Sequence, residues 1–223
     1  MKINTVVVFD LETGGLDTTS CQILEIAAVA IDPLSWTPIT SSQFHSLVRP
    51  DDEASLEPGA MAVNKLPIEE LRKAPSDKAV FNRFSDHLRR FGGKTSSSFT
   101  APFAGGKNIR RFDLPIMDRY CRKFKMVDAN GDPKLFNKVR VFDIEDHMLN
   151  WLGTTHLVEN LSMDTFREFF GISHEGAHSA VIDTMQTAWT LCKFQRLYRE
   201  LAPKIKFKNA GGGVDFANPQ TWF

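Results

Sequence analysis

The run Val6-Val7-Val8-Phe9-Asp10-Leu11-Glu12-Thr13-Gly14-Gly15 constrains this chain more than any other. Its β-branched, apolar lead-in predicts a buried strand over residues 3–12, closed by the glycine pair. That strand ends in two acids, next to a glycine turn that opens access to them. Side chains two apart on a strand share a face, so Asp10 and Glu12 stand side by side. Two such carboxylates repel each other unless a cation lies between them, and oxygen-only sites suit Mg²⁺ or Mn²⁺. Alone, Asp-x-Glu is a common accident of sequence. It gains meaning only in company.

The rest of the chain alternates strands and helices. Residues 22–31 form a second apolar run, and Gly14, Gly15 and Asp17–Ser20 supply turn chemistry before it, which predicts a hairpin. Residues 43–48 predict a third strand ending before Pro50. A first helix is expected to begin at Pro67, the second to span Asp77–Phe91. In the second, Val80, Phe84, Leu88 and Phe91 form one stripe and Gly92-Gly93 the stop. Further on, strands are expected over Ser98–Ala104 and Val139–Ile144, and helices over Leu114–Phe124, Leu161–Phe170 and Ser179–Leu201. The last helix carries Val181, Met185, Ala188 and Cys192 on one stripe. This order implies a mixed α/β layer rather than a helical bundle.

Composition bounds the function. At 223 residues with 42% hydrophobic side chains, the chain can bury a sizeable core, and wholesale disorder is excluded. Residues 1–202 read as one domain and residues 203–223 as a tail. Lys plus Arg equals Asp plus Glu at 27 each, which argues against a purely electrostatic nucleic-acid binder. Charge is uneven, however. From Lys107 to Arg140 ten basic residues face four acids, either a local cationic face or a solvated helix surface. Cys21, Cys121 and Cys192 are widely spaced and form no C-x-x-C pair, and no apolar stretch reaches the length of a signal core or membrane span. A reduced, cytoplasmic setting is the expectation.

Two further constellations accompany the first. In Lys107-Asn108-Ile109-Arg110-Arg111-Phe112-Asp113, the final carboxylate stands just before, or in the first turn of, a helix. The helix dipole favours its charged form there, and capping alone would also explain it. In His178-Ser179-Ala180-Val181-Ile182-Asp183, Ser179 can cap the helix, leaving His178 on the preceding loop and Asp183 about one turn inside. An imidazole has the pKa for general-base work near neutrality. Each of the four acids lies at an element boundary, where one sheet could gather them.

The order Asp-x-Glu, Asp, His-x-x-x-x-Asp resembles the DEDDh branch of the DnaQ-like 3′→5′ exonucleases, over roughly residues 1–200. Phe9-Asp10-Leu11-Glu12-Thr13-Gly14-Gly15-Leu16 resembles the family's first motif, Asn108 with Phe112-Asp113 the second, and His178 to Asp183 the third. Histidine in the third motif selects the branch. The resemblance implies a ribonuclease H-like fold, with a mixed five-stranded sheet of order 3-2-1-4-5 flanked by helices. It implies that Asp10, Glu12, Asp113 and Asp183 hold two Mg²⁺ or Mn²⁺ ions and that His178 takes a proton from water. It further implies that Thr13, Gly14, Leu16, Asn108 and Phe112 contact substrate, a single-stranded nucleic acid with a free 3′ end, DNA in preference. Ala62-Val63-Asn64-Lys65-Leu66 departs from the Val-His-Gly-Ile element of many members.

Three rival readings compete with this one. His174-Glu175-Gly176-Ala177-His178 matches the zinc-protease signature, but Gly176 interrupts the helix that the signature needs, and no third ligand follows. A module that binds nucleic acid or a partner without cutting is disfavoured by the complete acid set. An RNA-trimming member of the same family stays open, because contact with the 2′-hydroxyl is a pocket detail. Gln220-Thr221-Trp222-Phe223, behind the Gly211-Gly212-Gly213 run, resembles short peptides that dock on sliding clamps and suggests a clamp or polymerase partner.

Overall fold

The computed structural model describes residues 5–92, 97–153, 159–173 and 179–202. His174, Glu175 and His178, and the clamp-like tail, therefore lie outside the described residues. So does the start of the first strand, at residues 3–4.

β1 (Val6–Thr13) is the centre of the sheet. β2 (Ile23–Asp32) runs antiparallel along one edge, from Val6 opposite Ile31 to Glu12 opposite Glu25. β5 (Phe103–Gly106) runs parallel along the other, but only beside Val6–Val8, and β6 (Val141–Asp143) is parallel to β5. β3 (Thr37–Pro38) and β4 (Phe44–Leu47) both pair with β2. β3 meets Ile31 and Asp32, and β4 meets Glu25–Ala28. Among the described residues the sheet thus has six strands where five were expected. The additional one is a two-residue piece set apart from β4 by a 3₁₀ turn at Thr40–Ser42.

Strand alternation gives the sheet two cores. Val7, Phe9 and Leu11 face α3 (Asp77–Gly92) and α4 (Asp113–Lys123), packing with Phe81, Phe84, Ile116 and Tyr120. Val6 and Val8 face the other side. They pack there with α5 (Ile144–Met148), α6 (Met163–Phe170) and the long α7 (Ala180–Leu201), through Ile144, Phe166 and Leu191. All three cysteines are buried free thiols. No helix among the described residues is long and apolar enough to cross a membrane.

Several boundaries differ from expectation. Pro67 precedes α2 (Ile68–Lys73) as its cap, and α1 (Pro58–Asn64) has no counterpart in the sequence reading. The strand expected over Ser98–Ala104 begins only at Phe103: residues 97–101 turn, with Thr100 N–H on the Ser97 carbonyl, and Ser98 N–H bonds Asp128. The strand expected over Val139–Ile144 shrinks to Val141–Asp143, because Asp143 caps α5 by accepting from Glu145 N–H. On α7, Val181 and Met185 are only half-buried, while Thr184, Thr187, Ala188, Leu191 and Cys192 are buried, so the inward face is rotated and carries hydroxyls. Of the two readings of Lys107–Arg140, engaged side chains favour the one without a free cationic face at three of its basic residues. Arg119 binds the Thr18 and Cys21 carbonyls, Lys123 pairs with Asp51 and Asp77, and Lys138 pairs with Asp132.

Candidate active site

The parity of β1 decides where its acids point. Asp10 and Glu12 continue the row of Val6 and Val8, so they emerge on the face covered by α7. β5 stops pairing with β1 at Val8, and this opens a crevice at the carboxyl ends of the strands. Crevices of this kind, where the chain leaves a sheet in opposite directions, are the usual binding sites of open α/β sheets.

Asp113 closes the crevice from the side. As the first residue of α4 it is buried, and its Oδ1 accepts the Leu11 N–H at 3.1 Å. That bond fixes the acid between Asp10 and Glu12 across 102 residues of sequence. The connection from β5 to α4 depends on Gly106, where a Cβ would lie 2.0 Å from Ile109 Cγ2 and 3.1 Å from the Phe9 carbonyl. Asn108 follows with a φ of 55°. Its N–H and that of Arg110 are received by the buried Asp143 carboxylate at 2.8 and 3.4 Å. Asp183 enters from the first turn of α7, whose N–H bonds the Ser179 carbonyl at 2.9 Å.

These groups line one cavity of about 360 Å³ that includes Asp10, Glu12, Lys107, Asn108, Phe112, Asp113, Arg167 and Asp183. The four acids expected to converge therefore do so. Thr13, Gly14 and Leu16 lie outside the lining. Thr13 is buried, its hydroxyl on the Gly15 carbonyl and its own carbonyl bonded by Asn64. Gly14 is held by Gln22 and Glu57, and Leu16 projects into solvent, 76% exposed. Asn64 thus braces the first motif, and Lys65 follows with a φ of 54°. Phe112 is half-buried against the α3/α4 core while also facing the cavity.

Electrostatics set this cavity apart from the rest of the surface. Burial and the neighbouring Asp113, Glu12 and Asp183 hold the Asp10 carboxyl well above the ordinary carboxylate range. Burial, with Glu25 and Asp183, pushes Glu12 up to about 7. Glu25 lies directly opposite on β2 and is itself paired with His45. Burial also raises Asp113 to about 7, against the opposing effect of the Leu11 N–H. Carboxyls crowded in this way ionise together only when a cation shares the space, and hard divalent ions prefer such all-oxygen donors. The donor set fits a divalent ion in type, its four carboxylates lining one cavity. Among the described residues no three His, Cys, Asp or Glu side chains are gathered closely enough to hold an ion as they stand, and Asp183 binds Arg167.

Arg167, Asp164 and Met163 of α6 also line this cavity and were not expected from sequence. The Asp164-x-x-Arg167 spacing was the available signal, and it reads equally well as an ordinary pair on a helix surface.

Comparison with known proteins agrees with this geometry. A family model described as Exonuclease, of the RNase T type, matches residues 7–191. Ribonuclease T of Salmonella choleraesuis is 30% identical over 199 residues, covering 87% of this chain and 86% of that protein. Among solved structures, cell-death related nuclease 4 matches with a TM-score of 0.67 at 16% identity, over 87% of this chain and 64% of that one. Exonuclease I of E. coli, crystallised with a dT13 oligonucleotide, matches with a TM-score of 0.65 at 20% identity, over 95% of this chain and 46% of that one. The chain spans about half the length of the Exonuclease I chains it resembles. On the span and identity of these matches, the chain belongs to the exonuclease family that includes Ribonuclease T, as a DnaQ-like 3′→5′ exonuclease of the DEDDh type with an RNase H-like fold.

Proposed function

We propose that the protein removes nucleotides from the 3′ end of single-stranded or frayed DNA and releases 5′-mononucleotides. The observation that carries this reading is the Asp113–Leu11 bond, which sets an acid from the second motif among those of the first and inside the cavity they share with Asp183. Exonucleases of this type are metal-dependent. Asp10, Glu12, Asp113 and Asp183 would hold two Mg²⁺ or Mn²⁺ ions. When bound, such ions polarise the phosphate, lower the pKa of water and stabilise the leaving 3′ oxygen.

The chain's own groups do the rest. His178 accepts the proton of the attacking water. The Glu12 carboxylate and the backbone of Thr13 and Gly14 meet the terminal 3′-hydroxyl. Lys107 and Asn108, on the cavity wall, engage the phosphate backbone. Leu16 and Phe112 flank the last bases; stacking on an aromatic ring contributes about 1–3 kcal/mol per base.

Single-stranded DNA as substrate is supported by the oligonucleotide bound to Exonuclease I in its crystal structure. RNA trimming is the second reading, favoured by the higher identity to proteins named Ribonuclease T. One assay separates them. A 5′-labelled and a 3′-labelled oligonucleotide, each as DNA and RNA, are incubated with and without EDTA. The proposal expects a descending ladder from the 5′ label, immediate mononucleotide release from the 3′ label, faster loss of DNA and no cleavage in EDTA. Faster loss of RNA would move the substrate to the second reading, and cleavage in EDTA would refute the metal role.

A further inference from the structure

Arg167 lies on α6 with only 3% of its surface exposed, an uncommon place for a guanidinium. Three side chains receive it. Its Nε donates to Gln186 Oε1 at 2.8 Å, one terminal nitrogen donates to Asp164 Oδ1 at 2.8 Å, and the other donates to Asp183 Oδ1. Asp183 and Gln186 are three residues apart on α7 and so share a helix face. Gln186 in turn donates from its amide to the Ser173 carbonyl at 2.9 Å. The guanidinium thus ties α6 to the start of α7 while lining the same cavity as Asp10, Glu12 and Asp113.

Stability gives little reason for this arrangement. A buried ion pair loses in desolvation much of what it gains in attraction, and apolar side chains of similar volume often serve as well. Charge balance alone would be met by lysine. Only a planar fork of donors holds a carboxylate and an amide at a fixed angle to each other.

We propose that Arg167 is a positioning residue, which fixes the Asp183 carboxylate in the orientation that metal binding requires and is itself braced by Gln186. This inference rests on the metal reading of Asp183 given above. It assigns Arg167 no contact with the reacting atoms.

Mn²⁺ binding to the full chain without nucleic acid, followed by loss of the free-ion EPR signal, tests it. Arg167→Lys keeps the charge and loses the fork, and Arg167→Met loses both. Each is expected to bind Mn²⁺ about 10–100-fold more weakly, the usual loss when a side chain orienting a metal ligand is removed. In an Asp183→Asn background, Arg167→Lys should add no further loss, because the ligand it orients is already gone. A general loosening of the fold would instead add the same loss in both backgrounds. Unchanged affinity in Arg167→Lys overturns the proposal, as does a full additional loss beside Asp183→Asn. Should the Arg167 variants not fold, Gln186→Met removes only the brace. A smaller loss of the same sign supports the role, and none overturns it. Asp10→Asn checks the underlying reading separately. Binding lost there but intact in Arg167→Lys refutes only the positioning role, whereas binding retained in Asp10→Asn refutes the metal reading itself.

Discussion

Asp113→Asn should inactivate the enzyme and stabilise the metal-free protein at once. Asparagine keeps an oxygen for the Leu11 N–H and nearly the same volume, so the 3.1 Å bond and the packing persist while the charge is removed. A carboxyl held at about 7 rather than the ordinary 3.8 costs at most about 4 kcal/mol to ionise in the folded state, at roughly 1.4 kcal/mol per pH unit. The unfolded chain, ionised freely from its ordinary value upward, carries no such cost. Above pH 7 the wild type therefore bears the whole penalty without metal, and below about pH 4 it bears none. If half of the ceiling is realised, Asp113→Asn gains about 2 kcal/mol at pH 8, or roughly 4–8 °C in Tm for a chain of this size. Thermal unfolding in EDTA at pH 8 and pH 4 measures it, and nuclease activity in Mg²⁺ should fall by about 10³-fold, equivalent to roughly 4 kcal/mol of transition-state stabilisation. An equal Tm gain at both pH values would refute the electrostatic argument, and retained activity would refute Asp113 as a ligand.

Three further outcomes are expected. Gly106→Ala should lose about 1–3 kcal/mol in urea titration, because its Cβ would overlap Ile109; a neutral result would show that the turn after β5 adapts freely. Leu16→Ala should leave urea stability within about 0.5 kcal/mol, since the side chain is mostly in solvent, yet raise KM about tenfold by removing a base contact. A KM equal to wild type would remove Leu16 from the binding surface. In EDTA the wild type should lose stability as pH rises from 4.5 through 7, because folded Glu12 and Asp113 then hold protons that the unfolded chain has released. Added Mg²⁺ should consequently raise Tm more at pH 8 than at pH 6, as ligands must be deprotonated to bind; equal shifts would contradict the raised carboxyls.

What could be read from the sequence follows from how local each determinant is. β1 and the turn into β2 were legible because a β-branched run and a glycine pair state their geometry within ten residues. α3 was legible because Val80, Phe84 and Leu88 repeat at helical spacing, and all three are buried. β5 was not. Gly105-Gly106 read as the end of that strand, yet both glycines lie within it and are needed for close approach, Gly105 to Val6 and Val8 and Gly106 to Ile109. The rotated face of α7 was hidden by its hydroxyls; Thr190 satisfies its own by bonding the Gln186 carbonyl at 2.9 Å, which lets a polar side chain pass as core. Arg167 was the least legible. A basic residue near the end of a short helix is what the helix dipole favours at the surface, and its burial is set by acceptors on a different helix.

The site and the core are fixed by the same register. Val6 and Val8 are buried against the α5–α7 layer, and that burial decides which way Asp10 and Glu12 point. A slip of one residue along β2 would send both acids into the α3/α4 layer, among Phe81, Phe84 and Tyr120, where no cation or water could reach them. The slip would also carry the Leu11 N–H away from Asp113. The hydrophobic half of the strand therefore shapes the cavity without lining it at Val6 or Val8, because it sets the parity of the two carboxylates. The bulge between Glu12 and Thr13 ends that parity at the last site acid, which frees Gly14 and Gly15 to turn against Leu56 and Glu57 without displacing the row before them.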